Sequence, residues 1–313
     1  MRHGGCWRWP KDISHEGSDD SAQVTGEAMR TTLITHHPSL ITALLLLVLP
    51  FGSAVAQGFD HEHAAWTALL KKHVVLLDGG KASQVRYAGF QQDRAALKSY
   101  LDSLSKVTPQ EFDGWSKAER MAFLINAYNA FTIEKILARY PNIKSIWDFG
   151  KFFGNPFKDR FFALFGRESF LDRVEHETLR NPGAYDEPRV HFAVNCASVG
   201  CPMLREEAYV AARLDAQLEE QARRFLSDRS RNRYDPERGL LEVSKIFDWF
   251  KEDWTSGYRG FEGKGEPIRS REQYFAAYAA LLADDPQQQK RLLDQKAEIR
   301  FLEYDWALND AKR

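Results

Sequence analysis

The fold is decided by residues 116–141, SKAERMAFLINAYNAFTIEKILARYP. Ser116 followed three residues later by Glu119 is a capping box, in which the two side chains satisfy the free amide groups at a helix start. Pro141 marks the end of the helix. From Met121 to Ile133 apolar residues fall on nearly every face, which predicts a buried central helix rather than an amphipathic surface one. Polar residues interrupt that pattern. Glu119 and Asn126 are two turns apart and share a face, and Asn129 sits one turn further on. An unpaired buried amide costs about 1–3 kcal/mol, so each asparagine requires a specific partner, structural or catalytic.

Outward from this helix, residues 59–77 read as helical, with Trp66, Leu69, Leu70 and His73 at helical spacing and Asp78-Gly79-Gly80 as the stop. Residues 85–87 are extended and 93–104 helical. Phe161 to Phe165 forms a buried strand that turns at Gly166. Ser169 and Asp172 cap a helix to Arg180, which Asn181-Pro182-Gly183 breaks. Residues 189–194 alternate as a strand, with Val190, Phe192 and Val194 on one face and His191 on the other; Asn195 shares the face of His191. Further helices are expected at 206–226, at 245–254 behind a Ser244 cap, and at 272–283, with strands at 240–243 and 299–306. No regular strand–helix–strand rhythm connects these elements. The expected fold is therefore α+β: a single domain, mostly helical, with a central buried helix and a small mixed or antiparallel sheet. Phe152, Phe153, Phe157, Phe161, Phe162 and Phe165 crowd one region and read as core or as the lining of an apolar pocket.

Composition narrows the function. The 313 residues carry 43 Lys+Arg against 44 Asp+Glu, a net charge of -1, so the basic excess of a nucleic-acid-binding protein is absent. Residues 40–51, LITALLLLVLPF, are too short to span a bilayer, which takes about 20 apolar residues. With Arg30 before them and Ala54-Val55-Ala56 after, they read as a secretory signal peptide at 29–56, cleaved after Ala56. Met29 is the better start, which makes 1–28 a mis-called upstream extension and 57–313 one globular domain. The expected product is exported to the periplasm or the medium, without a stable membrane anchor. Cys6 is lost with the leader, leaving Cys196 and Cys201.

The chemistry-bearing stretch is RVHFAVNCASVGCP, residues 189–202. Three arrangements suit it. Cys196 and Cys201 can close a short loop as a disulfide, the usual fate of a cysteine pair in an oxidising compartment. One cysteine can instead be a nucleophile, activated by His191 or His176. In the third, His191, Cys196 and Cys201 bind zinc, with His176 as a fourth ligand. The chain contains neither G-x-G-x-x-G, nor a P-loop, nor G-x-S-x-G, so no cofactor is expected. The reading that uses the most of these residues is a hydrolase or acyl transferase. It acts on a small-molecule or peptide substrate through Cys196, His191, His176, Glu119, Asn126, Asn129 and Asn195. Its alternative is a non-catalytic exported binding domain in which the same residues form a structural network.

Five ordered motifs, AFLINAYNAFTIEKI, VEHETLR, RVHFAVNCASVGCPML, SKIFDWF and YDWALN, together resemble the domain of unknown function 547 family, over residues 85–309. The resemblance marks Asn126, Tyr128, Asn129, Glu175, His176, His191, Asn195, Cys196, Cys201 and Pro202 as core positions. It implies no particular reaction.

Overall fold

The computed structural model describes residues 58–150 and 154–311. The expected leader, Cys6, Phe152 and Phe153 lie outside the described residues. Within them the chain is α+β and predominantly helical, with sheets of two, two and three strands. No described helix is long and apolar enough to cross a membrane.

The central helix is Lys117–Leu137, with both halves of the Ser116/Glu119 capping box formed. Its residues from Met121 to Ile133 are all buried. Helices Ala64–His73, Tyr87–Gln92 and Arg94–Lys106 pack around it through Trp66, Leu70, Phe90, Leu97 and Leu104. A second apolar cluster gathers Phe192, Phe225, Phe247, Trp254, Tyr274 and Phe275. The short helix Val190–Ala193 stands at the seam. Val190 and Ala193 belong to the first cluster and Phe192 to the second.

The structure corrects several sequence expectations. The first helix stops at His73, because the β-branched pair Val74-Val75 continues as a strand, Val74–Leu77, paired antiparallel with Ala82–Val85. Ser169 caps nothing. It ends the strand Arg167–Ser169, and the segment that follows, Arg173–Leu179, is a π-helix. Residues 189–194 are not a strand. Val190, His191 and Phe192 donate their amides to the carbonyls of Glu187, Pro188 and Arg189, which makes a helical turn. Every residue of that turn is buried, so its apolar alternation reports burial on all sides rather than a two-sided strand.

The helix expected from 206 begins only at Leu214, since side chains claim the preceding backbone: Asn126 that of Tyr209, Thr67 that of Ala208, and Gln217 those of Ala208 and Val210. The 245–254 helix breaks at Phe250 into Ile246–Trp249 and Lys251–Thr255. Residues 272–283 likewise divide into Arg271–Ala277 and Ala279–Leu282. The last strand is only Glu298–Phe301, parallel to Leu240–Val243.

Candidate functional site

The three asparagines act as backbone clips. Asn126 donates to the Tyr209 carbonyl at 2.7 Å and accepts from the Tyr209 amide at 3.0 Å. One turn on, Asn129 donates to the Ala193 carbonyl at 2.9 Å and accepts from the Asn195 amide at 2.8 Å. Asn195 donates to the Pro202 carbonyl at 2.8 Å and accepts from the Ala197 amide at 3.0 Å, closing the loop on itself. Each buried amide thus finds the partners that burial requires. The central helix, through Asn129, fixes the point where the short helix turns into the cysteine loop.

Within that loop the two thiols meet. Cys196 Sγ lies 2.7 Å from Cys201 Sγ, longer than the roughly 2.05 Å of a disulfide bond, and both cysteines are free. The disulfide expected for this pair is not shown. Cys201 Sγ accepts the Cys196 amide at 2.9 Å. Ser198 Oγ and the Tyr304 hydroxyl stand 3.2 and 3.3 Å from Cys196 Sγ, and 3.0 Å from one another.

The consequences for the two sulfurs are opposite. Burial works against a thiolate at Cys196, but hydrogen bonds from Cys201, Ser198 and Tyr304 outweigh it and hold this thiol below its ordinary range. Burial pushes the Cys201 thiol far up, and the adjacent Cys196 charge adds to the effect. Cys196 is also the more accessible of the two.

Tyr304 reaches the loop because residue 200 is glycine. A Cβ there would stand 2.9 Å from the Asp305 amide nitrogen and 3.1 Å from the Tyr304 ring. The Gly200 amide instead donates to the Asp305 carbonyl at 2.8 Å. Tyr304 continues into a half-buried aromatic group with Trp249 and Trp306, at centroid distances of 4.9 and 4.5 Å.

The histidines face elsewhere. His191 Nε2 pairs with Asp253 Oδ2 at 2.7 Å, and its ring stacks on Phe250 at 4.1 Å. Arg180 grips the same carboxylate at 2.6 and 3.1 Å and reaches His176 Nδ1 at 2.7 Å. Burial disfavours the Asp253 carboxylate, yet hydrogen bonds from His191 and Arg180 pull its pKa far down. Burial lowers the pKa of both His191 and His176. Asp172, buried beside Glu175, has its pKa raised to about 7. Burial and the Glu175 carboxylate push the Tyr128 hydroxyl on the central helix well up. The π-helix thus gathers an acid–base cluster, as such helices often do.

Glu119 belongs to neither group. Its carboxylate accepts the Ser116 amide at 2.8 Å in the capping box. Sharing a face with Asn126 did not bring it to the thiols. The expected zinc set is not assembled either: no group of three His, Cys, Asp or Glu among the described residues is placed to hold a metal, and His191 Nε2 is engaged by Asp253.

Residues 112–226 match the model of DUF547, a protein of unknown function. No curated protein and no solved structure matches the chain. The DUF547 segment contains the asparagine clips, the π-helix and both cysteines. It ends before Asp253, Tyr304 and Asn309, three residues that complete the site from outside it. Sequence reasoning named none of the three as a site residue. The YDWALN motif, which holds both Tyr304 and Asn309, was the one signal pointing to them.

Proposed function

We propose that this is an exported protein whose chemistry is thiol–disulfide exchange at Cys196, with Cys201 as the second thiol. The observation that carries the reading is Cys196, the less buried of the two cysteines, whose sulfur lies within hydrogen-bond reach of the Ser198 and Tyr304 hydroxyls and in contact with the sulfur of the buried Cys201. The thiolate is the attacking form, and a neighbouring thiol of high pKa keeps its proton until it is needed.

Cys196 thiolate attacks one sulfur of a substrate disulfide, forms a mixed disulfide and expels the other half as a thiolate. Cys201 then attacks the Cys196 sulfur, its proton passing to the second departing thiolate. The substrate gains two electrons and the Cys201 proton, leaving as one thiolate and one thiol, and the Cys196–Cys201 pair becomes the disulfide. The reverse sequence installs a disulfide in a dithiol partner. The aromatic group of Tyr304, Trp249 and Trp306 offers an apolar platform for a peptide or small-molecule substrate beside the reactive sulfur.

A hydrolase or acyl transferase would use the same nucleophile but needs a base against Cys196. His191 is committed to Asp253 and His176 to Arg180, which ranks that reading second. Oxidised glutathione, followed by acid quench, alkylation and intact mass, tests the proposal. Cys201→Ser is expected to accumulate a stable mixed disulfide on Cys196, and the wild type an internal disulfide. A Cys201→Ser protein that gathers no adduct near neutral pH overturns it.

A further inference from the structure

A cavity of about 390 Å³ opens where the helix Pro109–Asp113, the strand pair Phe162–Leu164 and Arg167–Ser169, and the π-helix meet the central helix. Its volume lies in the range of small-molecule sites. The apolar lining comes from Phe112, Leu124, Leu164, Phe165 and Val174. The turn between the strands holds Phe165 at φ 55 and Gly166 at φ 71, the left-handed pair of a two-residue hairpin. That conformation is strained for phenylalanine, and it sets the Phe165 ring 4.5 Å from Phe112 across the cavity wall.

The polar lining divides into committed and uncommitted groups. Arg173 is engaged by the Glu168 carbonyl and Glu177, and Thr178 by the Arg173 carbonyl. Three others have no partner among the described residues: the exposed guanidinium of Arg167, the exposed carboxylate of Asp113 and the hydroxyl of the buried Ser169. One free cation, one free anion and a free hydroxyl around an apolar hollow complement a molecule with the same three features.

We propose that this cavity binds a short apolar peptide with free termini, of dipeptide size. Its carboxylate meets Arg167, its ammonium meets Asp113, and its side chains fill the hollow against Phe112 and Phe165. Ser169 supplies a hydrogen bond to a ligand carbonyl. A simple apolar acid would leave Asp113 facing an anion, which makes the zwitterion the better match. The site does not depend on the thiols, so binding is unchanged in Cys196→Ser.

Calorimetric titration of the full chain with leucyl-phenylalanine, its N-acetyl form and its C-terminal amide tests this. The parent peptide is expected to bind at least tenfold more tightly than either blocked form. Asp113→Asn should abolish the discrimination against the N-acetyl peptide alone, and Arg167→Gln the discrimination against the amide alone. Both positions are exposed, so neither change threatens folding. Equal affinity for all three peptides, or no heat with any of them, overturns the proposal. Tight binding of the N-acetyl form by the wild type also overturns it, and identifies the occupant as an apolar acid.

Discussion

Replacing Asn129 with leucine keeps the volume and removes two hydrogen bonds at once, leaving the Asn195 amide and the Ala193 carbonyl buried without partners. Each orphaned group costs about 1–3 kcal/mol, so the pair amounts to about 2–6 kcal/mol. Leucine recovers part of this through apolar burial, which centres the expected loss near 3 kcal/mol. For a domain of this size that corresponds to a fall in Tm of about 6–12 °C, measured by circular dichroism. Asn126→Leu orphans the amide and carbonyl of Tyr209 in the same way and should lose a similar amount. The two variants part in their chemistry. Asn129 anchors the residue next to Cys196, whereas Asn126 anchors Tyr209, beyond the cysteine loop. Iodoacetamide reaction at pH 7 should therefore slow in Asn129→Leu as the Tyr304 contact loosens, and stay unchanged in Asn126→Leu. A loss below about 1 kcal/mol in both, or the same alkylation rate in both, would refute the clip argument.

Other expectations follow from single contacts. Tyr304→Phe removes one donor to Cys196, so the midpoint of its pH–alkylation profile should rise while Tm changes little. Gly200→Ala drives a methyl group into the Asp305 backbone, which cannot yield as a side chain could. A loss of about 1–3 kcal/mol in urea unfolding and a slower Cys196 reaction should appear together. Asp253→Asn leaves Arg180 without its charge partner and should cost about 2–4 kcal/mol by the same assay. Asp172 binds its proton more tightly folded than unfolded, with a folded pKa of about 7. Between about pH 4 and 7 the folded state holds more protons, so stability falls as pH rises through that window and levels off above it. Asp172→Asn should flatten this slope in Tm measured from pH 5 to 8; an unaltered slope would reject the assignment.

The central helix was legible because its signals are local: the capping box, the terminal proline and an all-round apolar surface lie within one stretch of 26 residues. The cysteine loop was legible for the same reason. The 189–194 turn was misread because burial on every side imitates a strand's alternation. Asp253 was invisible for a different reason. In the run KEDW it looks like part of a solvated face, and only the fold brings it to His191, 62 positions earlier. Glu119 shows the converse error. Its helical spacing to Asn126 was right, but its carboxylate is consumed by the helix start. Helix geometry gives the direction of a side chain and says nothing about which distant segment arrives to meet it.

Segment 304–311 joins the cysteine loop to the strand Ala82–Val85, with Asn309 buried between them. Asn309 exchanges backbone bonds with Val85 and Ala197, its side chain links Tyr87 to Asn195, and the Ala311 amide returns to Val85. During synthesis this segment emerges more than a hundred residues after Cys196. Until it arrives, Cys196 lacks the Tyr304 hydroxyl that favours its ionised form, and its loop lacks a brace. A chain that lacks this segment therefore carries Cys196 without one of the three contacts that lower its pKa. The electrostatic setting of Cys196 is thus completed by a part of the chain more than a hundred residues away, so it is a product of the whole fold and not of its own loop.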